Sequence, residues 1–176
     1  MHLKGAVALV TGGGEGIGHA IAGALVREGC KVTITGRREE VLRAVAPGLG
    51  AEFIGADVGI EADAVRTVTS VVERHGRLDV LVNNAGFGMF KPLVDTTLAD
   101  MESIYRTNVF GPFLMAREAA RQFIAQGSGE LINIASTSSL KGSAGRTAYG
   151  SSKFALRGMT ECWREELRKH NVRVML

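Results

Sequence analysis

The chain has 176 residues, of which 45% are hydrophobic, a length that suits one well-buried domain and is too short for two. Its formal net charge of +3 at pH 7 is spread along the sequence instead of gathering in a basic run, which argues against nucleic acid as the partner. No apolar run is long enough to cross a bilayer, and Cys30 and Cys162 lack metal or redox spacing. We therefore expect a cytoplasmic protein with no membrane partner, no metal site and no disulfide framework.

Short apolar, β-branched runs alternate with helical patterns along the whole chain. The strands are predicted at Val7–Thr11, Lys31–Thr35, Glu52–Gly55, Val80–Asn83, Glu130–Ile134 and Val172–Leu176. The helices are predicted at Gly16–Glu28, Arg38–Ala46, Glu61–His75, Leu98–Gln126 and Ala148–Asn171. This order predicts an α/β fold, a doubly wound parallel sheet in three αβα layers that is cut short at the sixth strand. Ligands of such sheets bind beyond the carboxyl ends of the strands.

A glycine-rich loop follows the first predicted strand and reads Thr11-Gly12-x-x-x-Gly16-x-Gly18. Glycines permit a tight turn and a close approach of the backbone to a ligand. The helix that begins near Gly16 directs unpaired N–H groups and its positive dipole end at the same place. The loop therefore predicts a pyrophosphate site, and a purely structural glycine turn is the alternative.

The last long helix begins its inward face with two polar residues, Tyr149 and Lys153. The same face continues with Leu156, Thr160, Trp163 and Leu167 at helical spacing. Because Lys153 follows Tyr149 by one helical turn, its ammonium is placed to stabilise a phenolate. Tyr149 is therefore a candidate general acid and base for a carbonyl or alcohol oxygen.

Asn108 occupies an inward position of the helix predicted at Leu98–Gln126, on a face otherwise apolar. Pro112 lies four residues later and has no N–H to donate to the carbonyl of Asn108, so a kink is expected. The freed carbonyl needs another partner, usually a water molecule. The alternative is a structural kink in which Asn108 is satisfied locally.

Three motifs in this order resemble the smaller oxidoreductase branch of the short-chain dehydrogenase/reductase family. They are the glycine loop, the Asn83-Asn84-Ala85-Gly86 segment after the fourth strand, and Tyr149-x-x-x-Lys153. The resemblance implies a Rossmann-type fold that binds a nicotinamide dinucleotide. It also implies hydride transfer between that cofactor and a carbonyl or alcohol.

The resemblance assigns roles to individual positions. Ser136, thirteen residues before Tyr149, matches the family's catalytic serine, and Asn108 matches an asparagine that holds a proton-relaying water. The predicted catalytic residues are Ser136, Tyr149, Lys153 and Asn108. The predicted cofactor-binding residues are Gly12, Gly14, Glu15, Gly16, Ile17, Gly18, Arg37, Asp57, Val58, Asn84, Ala85, Gly86, Tyr149 and Lys153. Ser138 and Phe90 are predicted to contact the substrate.

The second predicted strand is followed by Gly36-Arg37-Arg38, where no carboxylate is present to accept from both ribose hydroxyls of NAD. A guanidinium at this point suits a 2′-phosphate, so NADP is favoured over NAD. In the alternative, Arg37 and Arg38 are solvated and pair with Glu39 and Glu40. Glu15 favours NAD instead, because many family members that prefer NADP have a basic residue at this position of the glycine loop.

The sequence thus predicts an NADP(H)-dependent oxidoreductase for a small-molecule carbonyl or alcohol, a 3-oxoacyl-carrier-protein reductase among the options. By resemblance, a homodimer or homotetramer is expected. Residues 1–176 are expected to form one dinucleotide-binding domain with the catalytic residues, without the C-terminal substrate-covering part of relatives. The alternatives are a non-catalytic dinucleotide sensor and an inactive fragment.

Overall fold

A computed structural model describes residues 2–176 and contains a parallel sheet whose strand order is β3-β2-β1-β4-β5-β6. The strands are β1 (Val7–Thr11), β2 (Lys31–Gly36), β3 (Glu52–Gly55), β4 (Val80–Asn83), β5 (Gly129–Asn133) and β6 (Val172–Met175). The direction of winding reverses between β1 and β4, and a crevice opens there beyond the carboxyl ends of the strands. The predicted doubly wound, Rossmann-type fold is confirmed.

Helices connect successive strands and cover the sheet. They are α1 (Gly16–Arg27), α2 (Glu39–Leu49), α3 (Glu61–His75), α4 (Leu98–Tyr105), α5 (Gly111–Gln126) and α6 (Thr147–Arg168). α2 runs three residues beyond its predicted end at Ala46, because Pro47 is tolerated in its final turn and Gly50, at φ 71°, supplies the left-handed C-cap. No helix among residues 2–176 combines the length and apolarity that a membrane crossing requires.

The helix predicted as one element at Leu98–Gln126 is divided into α4 and α5 by a π-helical segment at Arg106–Phe110. Within it the N–H of Gly111 donates to the carbonyl of Arg106, five residues earlier. The disturbance lies one turn before Pro112, where the proline ring denies the helix a donor. The expected irregularity is therefore present as a π-helical segment around Asn108.

The apolar core consists of two clusters on opposite faces of the sheet. Val7 and Leu9 of β1 belong to one cluster, with Phe123 of α5 at its centre. Ala8 and Val10 of the same strand belong to the other cluster, which includes residues of α1 and α2. Both faces of β1 are buried, and its residues from Val7 to Val10 are apolar on both faces, as the sequence predicted.

A row of buried polar side chains ties the strand ends to α6. The amide of Asn83 donates to the side-chain oxygen of Asn133 (3.0 Å), and the amide of Asn133 donates to the hydroxyl of Thr160 (2.8 Å). That hydroxyl in turn donates to the carbonyl of Leu156 (2.7 Å). The row fixes the position of α6, and with it Tyr149 and Lys153, against the ends of β4 and β5.

Candidate active site

A cleft of about 630 Å³ lies at the carboxyl ends of the strands. Most of the predicted site residues line it, namely Gly12, Gly14, Glu15, Gly16, Ile17, Arg37, Asp57, Val58, Asn84, Ala85, Gly86, Phe90, Ser136, Tyr149 and Lys153. Three predicted site residues, Gly18, Asn108 and Ser138, do not line the cleft. The structure thus brings the glycine loop, the segment after β4 and the start of α6 together around one space.

The glycine loop is clamped to the segment that follows β4. Asn84 donates its side-chain amide to the carbonyls of Thr11 (2.9 Å) and Gly12 (3.3 Å). The hydroxyl of Thr11 accepts from the backbone N–H groups of Asn84 and Ala85, each at 3.0 Å. Gly12 and Gly16 have φ values of 66° and 56°, which side-chain-bearing residues seldom adopt. The loop is therefore held in shape by its neighbours.

Gly18 was predicted to contact the cofactor, but it lies beneath the loop. A Cβ atom at this position would be 2.3 Å from the carbonyl oxygen of Gly12 and 2.4 Å from the side-chain nitrogen of Asn84. Gly18 is needed because α1 packs so closely under the loop that no side chain fits. Gly18 thus lets the loop take its position, and its contact with a cofactor stays a prediction.

The two arginines after β2 do not pair with Glu39 and Glu40, which was the alternative to binding a 2′-phosphate. Arg38 pairs with Glu15 across the mouth of the cleft, with 2.5 Å between Nη2 and Oε1. Glu39 pairs with Arg43 on α2 instead. Arg37 is exposed and lines the cleft, and no carboxylate of residues 2–176 forms an ion pair with it. Its guanidinium is therefore available to an anionic ligand.

Lys153 is buried, with 7% of its surface exposed, and its ammonium donates to the carbonyl of Ile134 at 2.8 Å. Burial lowers the pKa of this amine, because a charged group loses solvation inside the protein. Its Nζ atom lies 6.0 Å from the centroid of the Tyr149 ring. The ammonium was predicted to stabilise a phenolate at Tyr149, and the structure adds a backbone acceptor for it just after β5.

Asn108 is buried within the π-helical segment and clamps two other parts of the chain. Its side-chain oxygen accepts from the N–H of Phe87 (3.1 Å). Its side-chain nitrogen donates to the carbonyl of Phe87 (2.9 Å) and to the hydroxyl of Ser152 (3.1 Å). The side chain therefore positions the segment after β4 and the helix residue next to Lys153. The water relay expected of Asn108 stays a prediction.

The serines after β5 have separate environments. Ser136 lines the cleft, and its hydroxyl oxygen accepts from the N–H of Ser138 (3.1 Å). Ser138, predicted to contact the substrate, is only 3% exposed and accepts from Nη1 of Arg146 (3.1 Å). A short 3-10 turn at Thr137–Ser139 folds Ser138 inward, which removes it from the cleft.

Arg146 lines the cleft three residues before Tyr149 and was not predicted from the sequence. Its guanidinium carbon lies 5.0 Å from the centroid of the Phe90 ring, and that ring meets Tyr149 edge-on with 6.0 Å between centroids. The three-residue spacing between Arg146 and Tyr149 could have indicated this position from the sequence, because residues three apart on a helix are neighbours. The other missed lining residues are Gly36, Arg38, Val41, Leu42, Ala56, Phe87, Gly88, Thr107, Ile134 and Ala135.

Replacing Lys153 by methionine is expected to raise the melting temperature of the ligand-free protein near neutral pH. The folded-state pKa of Lys153 is below its ordinary value of 10.5, so the unfolded chain binds the proton more tightly. That cost to folding is present at neutral pH and disappears as pH rises through 10.5, and methionine removes it. Each kcal/mol regained corresponds to about 2–4 °C. Thermal unfolding of Lys153→Met measures this change in melting temperature, and Lys169→Met, at the exposed end of α6, is the control. A melting temperature of Lys153→Met below that of the wild-type protein would contradict the expectation.

Comparison with known proteins agrees with this geometry. Residues 6–176 match the family model described as short chain dehydrogenase. An uncharacterized oxidoreductase of Thermotoga maritima is 37% identical over 180 residues, covering 98% of this chain and 70% of that protein. Among solved structures, an NAD+-bound xylitol dehydrogenase is 35% identical with a TM-score of 0.95, covering 99% of this chain and 69% of that one.

A metagenomic short-chain oxidoreductase, solved in complex with NADP, is 39% identical with a TM-score of 0.94 and covers 99% of this chain and 82% of that one. The chain spans about two thirds of the length of the first relatives named above and of similar curated proteins. The family model, the sequence identities and the similarity of fold all indicate the same family. The chain belongs to the short-chain dehydrogenase family of oxidoreductases.

Proposed function

We propose that the chain binds NADP(H) and interconverts a carbonyl and an alcohol, with Tyr149 exchanging the proton at the substrate oxygen. The observation that carries the proposal is the meeting of Ser136, Tyr149 and Lys153 in the cleft that the glycine loop borders. The chemistry requires these groups and the cofactor site to share one space. A protein that only senses a dinucleotide has no need of the three side chains.

The residues around the cleft fit a dinucleotide. The N–H groups of Gly12 and Gly13 donate to the carbonyl of Thr35, so the N–H groups from Gly14 to the start of α1 are the ones that would face a ligand. No acidic residue occupies the first turn of that helix. Nothing lies within 4 Å of a Cβ built on Gly16, so the loop is open on the ligand side. The pyrophosphate would lie there, and the cleft continues on one side to Arg37 and on the other to Tyr149.

A nicotinamide dinucleotide bound in the cleft would supply or accept the hydride. Tyr149 would hold a proton on its phenol oxygen and transfer it to the carbonyl oxygen of the substrate. The hydroxyl of Ser136 would donate to that same oxygen and stabilise its developing charge. Lys153, whose Nζ lies 6.0 Å from the centroid of the tyrosine ring, would place its positive charge near the oxygen that has given up the proton. One ammonium N–H is taken by Ile134, which leaves two for a ribose hydroxyl.

Arg37 supports NADP as the preferred cofactor. A guanidinium without a carboxylate partner can form two parallel hydrogen bonds with the 2′-phosphate. Arg38 is the second cation at this end of the cleft, but Glu15 already neutralises it. Similar proteins have been solved with NAD+ and with NADP, so the preference depends on these side chains. We propose that Arg37 selects the 2′-phosphate and that Glu15 moderates the selection.

Arg37→Gln is expected to weaken NADPH binding about tenfold and to leave NADH binding nearly unchanged, because only NADPH has the phosphate. Glu15→Gln should have the opposite sign, because it releases Arg38 for the same phosphate. Titration of the reduced cofactors by fluorescence measures both constants. Arg43→Gln is the matched control, since that arginine pairs with Glu39 outside the cleft. Equal losses for NADPH and NADH in Arg37→Gln would refute its role in selection.

The proposed activity is tested by following oxidation of NADPH and NADH by the purified full-length protein against a panel of small aldehydes, ketones and oxo acids. We expect turnover with NADPH and a lower kcat/KM with NADH. Cofactor binding without turnover of any carbonyl would favour the non-catalytic sensor. A homodimer or homotetramer and a 3-oxoacyl-carrier-protein substrate stay predictions.

A further inference from the structure

Arg146 brings a positive charge into the cleft beside Tyr149. It precedes Thr147, the first residue of α6, and its carbonyl accepts from the N–H of Gly150. The preceding residue, Gly145, accepts from the N–H of Lys91 (2.9 Å), which ties this turn to the loop after β4. The position of Arg146 is therefore fixed from both sides of the cleft.

The contacts of the guanidinium are with neutral groups. One N–H donates to the buried hydroxyl of Ser138, and the guanidinium plane lies near the ring of Phe90, 5.0 Å from its centroid. No carboxylate of residues 2–176 lies within 4 Å of its nitrogen atoms. A guanidinium has five N–H donors, and a single hydroxyl uses one of them. The remaining donors are available on the side of the cleft.

The neighbouring cations are already engaged. Lys91 pairs with Asp100 at 2.8 Å, and this hydrogen bond, together with those from Thr97, lowers the pKa of the Asp100 carboxyl to about 2. The Asp100 carboxylate is consequently ionised at neutral pH and occupies Lys91. Lys153 is buried and donates to Ile134. An anion that enters this end of the cleft therefore meets Arg146.

We infer that Arg146 binds a carboxylate of the substrate, so that the preferred substrates are oxo acids and the corresponding hydroxy acids. The inference rests on the proposed carbonyl reduction at Tyr149. The Phe90 ring lies 5.0 Å from the guanidinium carbon of Arg146 and 6.0 Å from the Tyr149 ring, so both groups border the same end of the cleft and a short carbon chain would join the carboxylate to the reacting carbonyl. Arginine binds a carboxylate through two parallel N–H groups, which would also orient the carbonyl toward Tyr149. The exposed ring of Phe90 would cover the carbon chain between them.

The chemical step is balanced with the groups already named. The carbonyl carbon of the oxo acid would gain a hydride, with oxidation of the reduced nicotinamide, and its oxygen would gain the proton of Tyr149. The C=O double bond becomes a C–O single bond, and the substrate carboxylate takes no part. Arg146 is thus a specificity residue that holds a group distant from the bonds being changed.

The test compares pairs of acid and ester that share a carbon skeleton, pyruvate with methyl pyruvate and acetoacetate with methyl acetoacetate. The wild-type protein is expected to show a lower KM for at least one acid than for its ester. Arg146→Met should raise KM for that acid about 10- to 100-fold and change the ester less than about threefold. Arg146→Lys should retain part of the preference. Arg157→Met, which removes an exposed arginine of α6 paired with Glu161, is the matched control.

Two results would overturn the inference. One is equal kinetic loss for acid and ester in Arg146→Met, which would mean that the arginine only supports Ser138 and Phe90. The other is wild-type turnover without preference for either acid. If the wild-type protein turns over no carbonyl at all, the proposed function fails by itself. In that case, acetoacetate and pyruvate are titrated calorimetrically into the NADP-saturated protein. Binding of either acid to the wild-type protein that is lost in Arg146→Met would support the carboxylate site. If neither acid binds to the wild-type protein, the inference is overturned.

Discussion

Tyr149→Phe is expected to lower kcat/KM for carbonyl reduction by about 10²- to 10⁴-fold. The change removes the phenol oxygen that would carry the proton and keeps the ring that meets Phe90 at 6.0 Å. Folding and cofactor affinity should therefore be almost unchanged. Steady-state rates, the dissociation constant of NADPH and the melting temperature, measured on the same preparation, separate loss of chemistry from loss of structure.

Tyr105→Phe is the matched control, because Tyr105 ends α4 and does not line the cleft. It should retain the wild-type rate. Equal rates for Tyr149→Phe and the wild-type protein would refute Tyr149 as the proton donor. Loss of rate together with loss of NADPH binding would refute the claim that its hydroxyl acts mainly in proton transfer.

Gly18→Ala is expected to destabilise the protein and weaken NADPH binding at least about tenfold. The added methyl group would lie 2.3 Å from the Gly12 carbonyl oxygen, and both that oxygen and the Asn84 amide belong to the clamp that holds the glycine loop. Overpacking of this kind costs about 1–3 kcal/mol, and each kcal/mol lowers the melting temperature by about 2–4 °C. The loop must move to relieve the clash, so its N–H groups lose their alignment toward the pyrophosphate.

Gly158→Ala provides the comparison for this variant. Gly158 lies inside α6 with nothing within 4 Å of a built Cβ, so alanine there should be neutral or stabilise the helix by up to about 1 kcal/mol. Thermal unfolding and NADPH titration of both variants check the expectation. An unchanged melting temperature and NADPH affinity in Gly18→Ala would show that the loop accommodates the methyl group.

The strands were predictable because their sequences carry the burial pattern directly. β1 and β4 are apolar on both faces, and the predicted bounds of every strand agree with the structure to within a residue. The π-helical segment at Arg106–Phe110 was only partly predictable. Pro112 indicates that the backbone hydrogen bonding of the helix must change near this residue. Whether the helix kinks or takes a wider turn depends on the contacts of Asn108 with Phe87 and Ser152, which are distant in sequence.

The candidate site was predictable where the backbone alone decides position. A residue that follows a parallel strand must lie at the ligand edge of the sheet, and this placed Arg37, Asp57, Asn84 and Ser136. Strand ends do not determine which way a side chain points in the turns that follow. Ser138 is therefore buried where substrate contact was predicted.

Arg146 was missed for a related reason. Its place depends on the hydrogen bond between Lys91 and Gly145, which joins loops more than fifty residues apart. Asn108 and Gly18 show the opposite case, because both were predicted as site residues and neither lines the cleft. Each is polar or small because of what it packs against, Phe87 for the one and Gly12 for the other, and spacing along the sequence does not distinguish support from contact.

The row of hydrogen bonds from Asn83 through Asn133 to Thr160 has a consequence for how such a protein can diversify. A substitution at any one of the three leaves a neighbour with an unmatched polar group in the interior, so the floor of the cleft tolerates little change. Phe90 is 62% exposed on a loop, and the guanidinium of Arg146 lies beside its ring, 5.0 Å from the centroid, so both residues stand at the same rim of the cleft. Under the proposed function, new substrate preferences would therefore arise by replacement at the rim, while Tyr149 and Lys153 keep their positions.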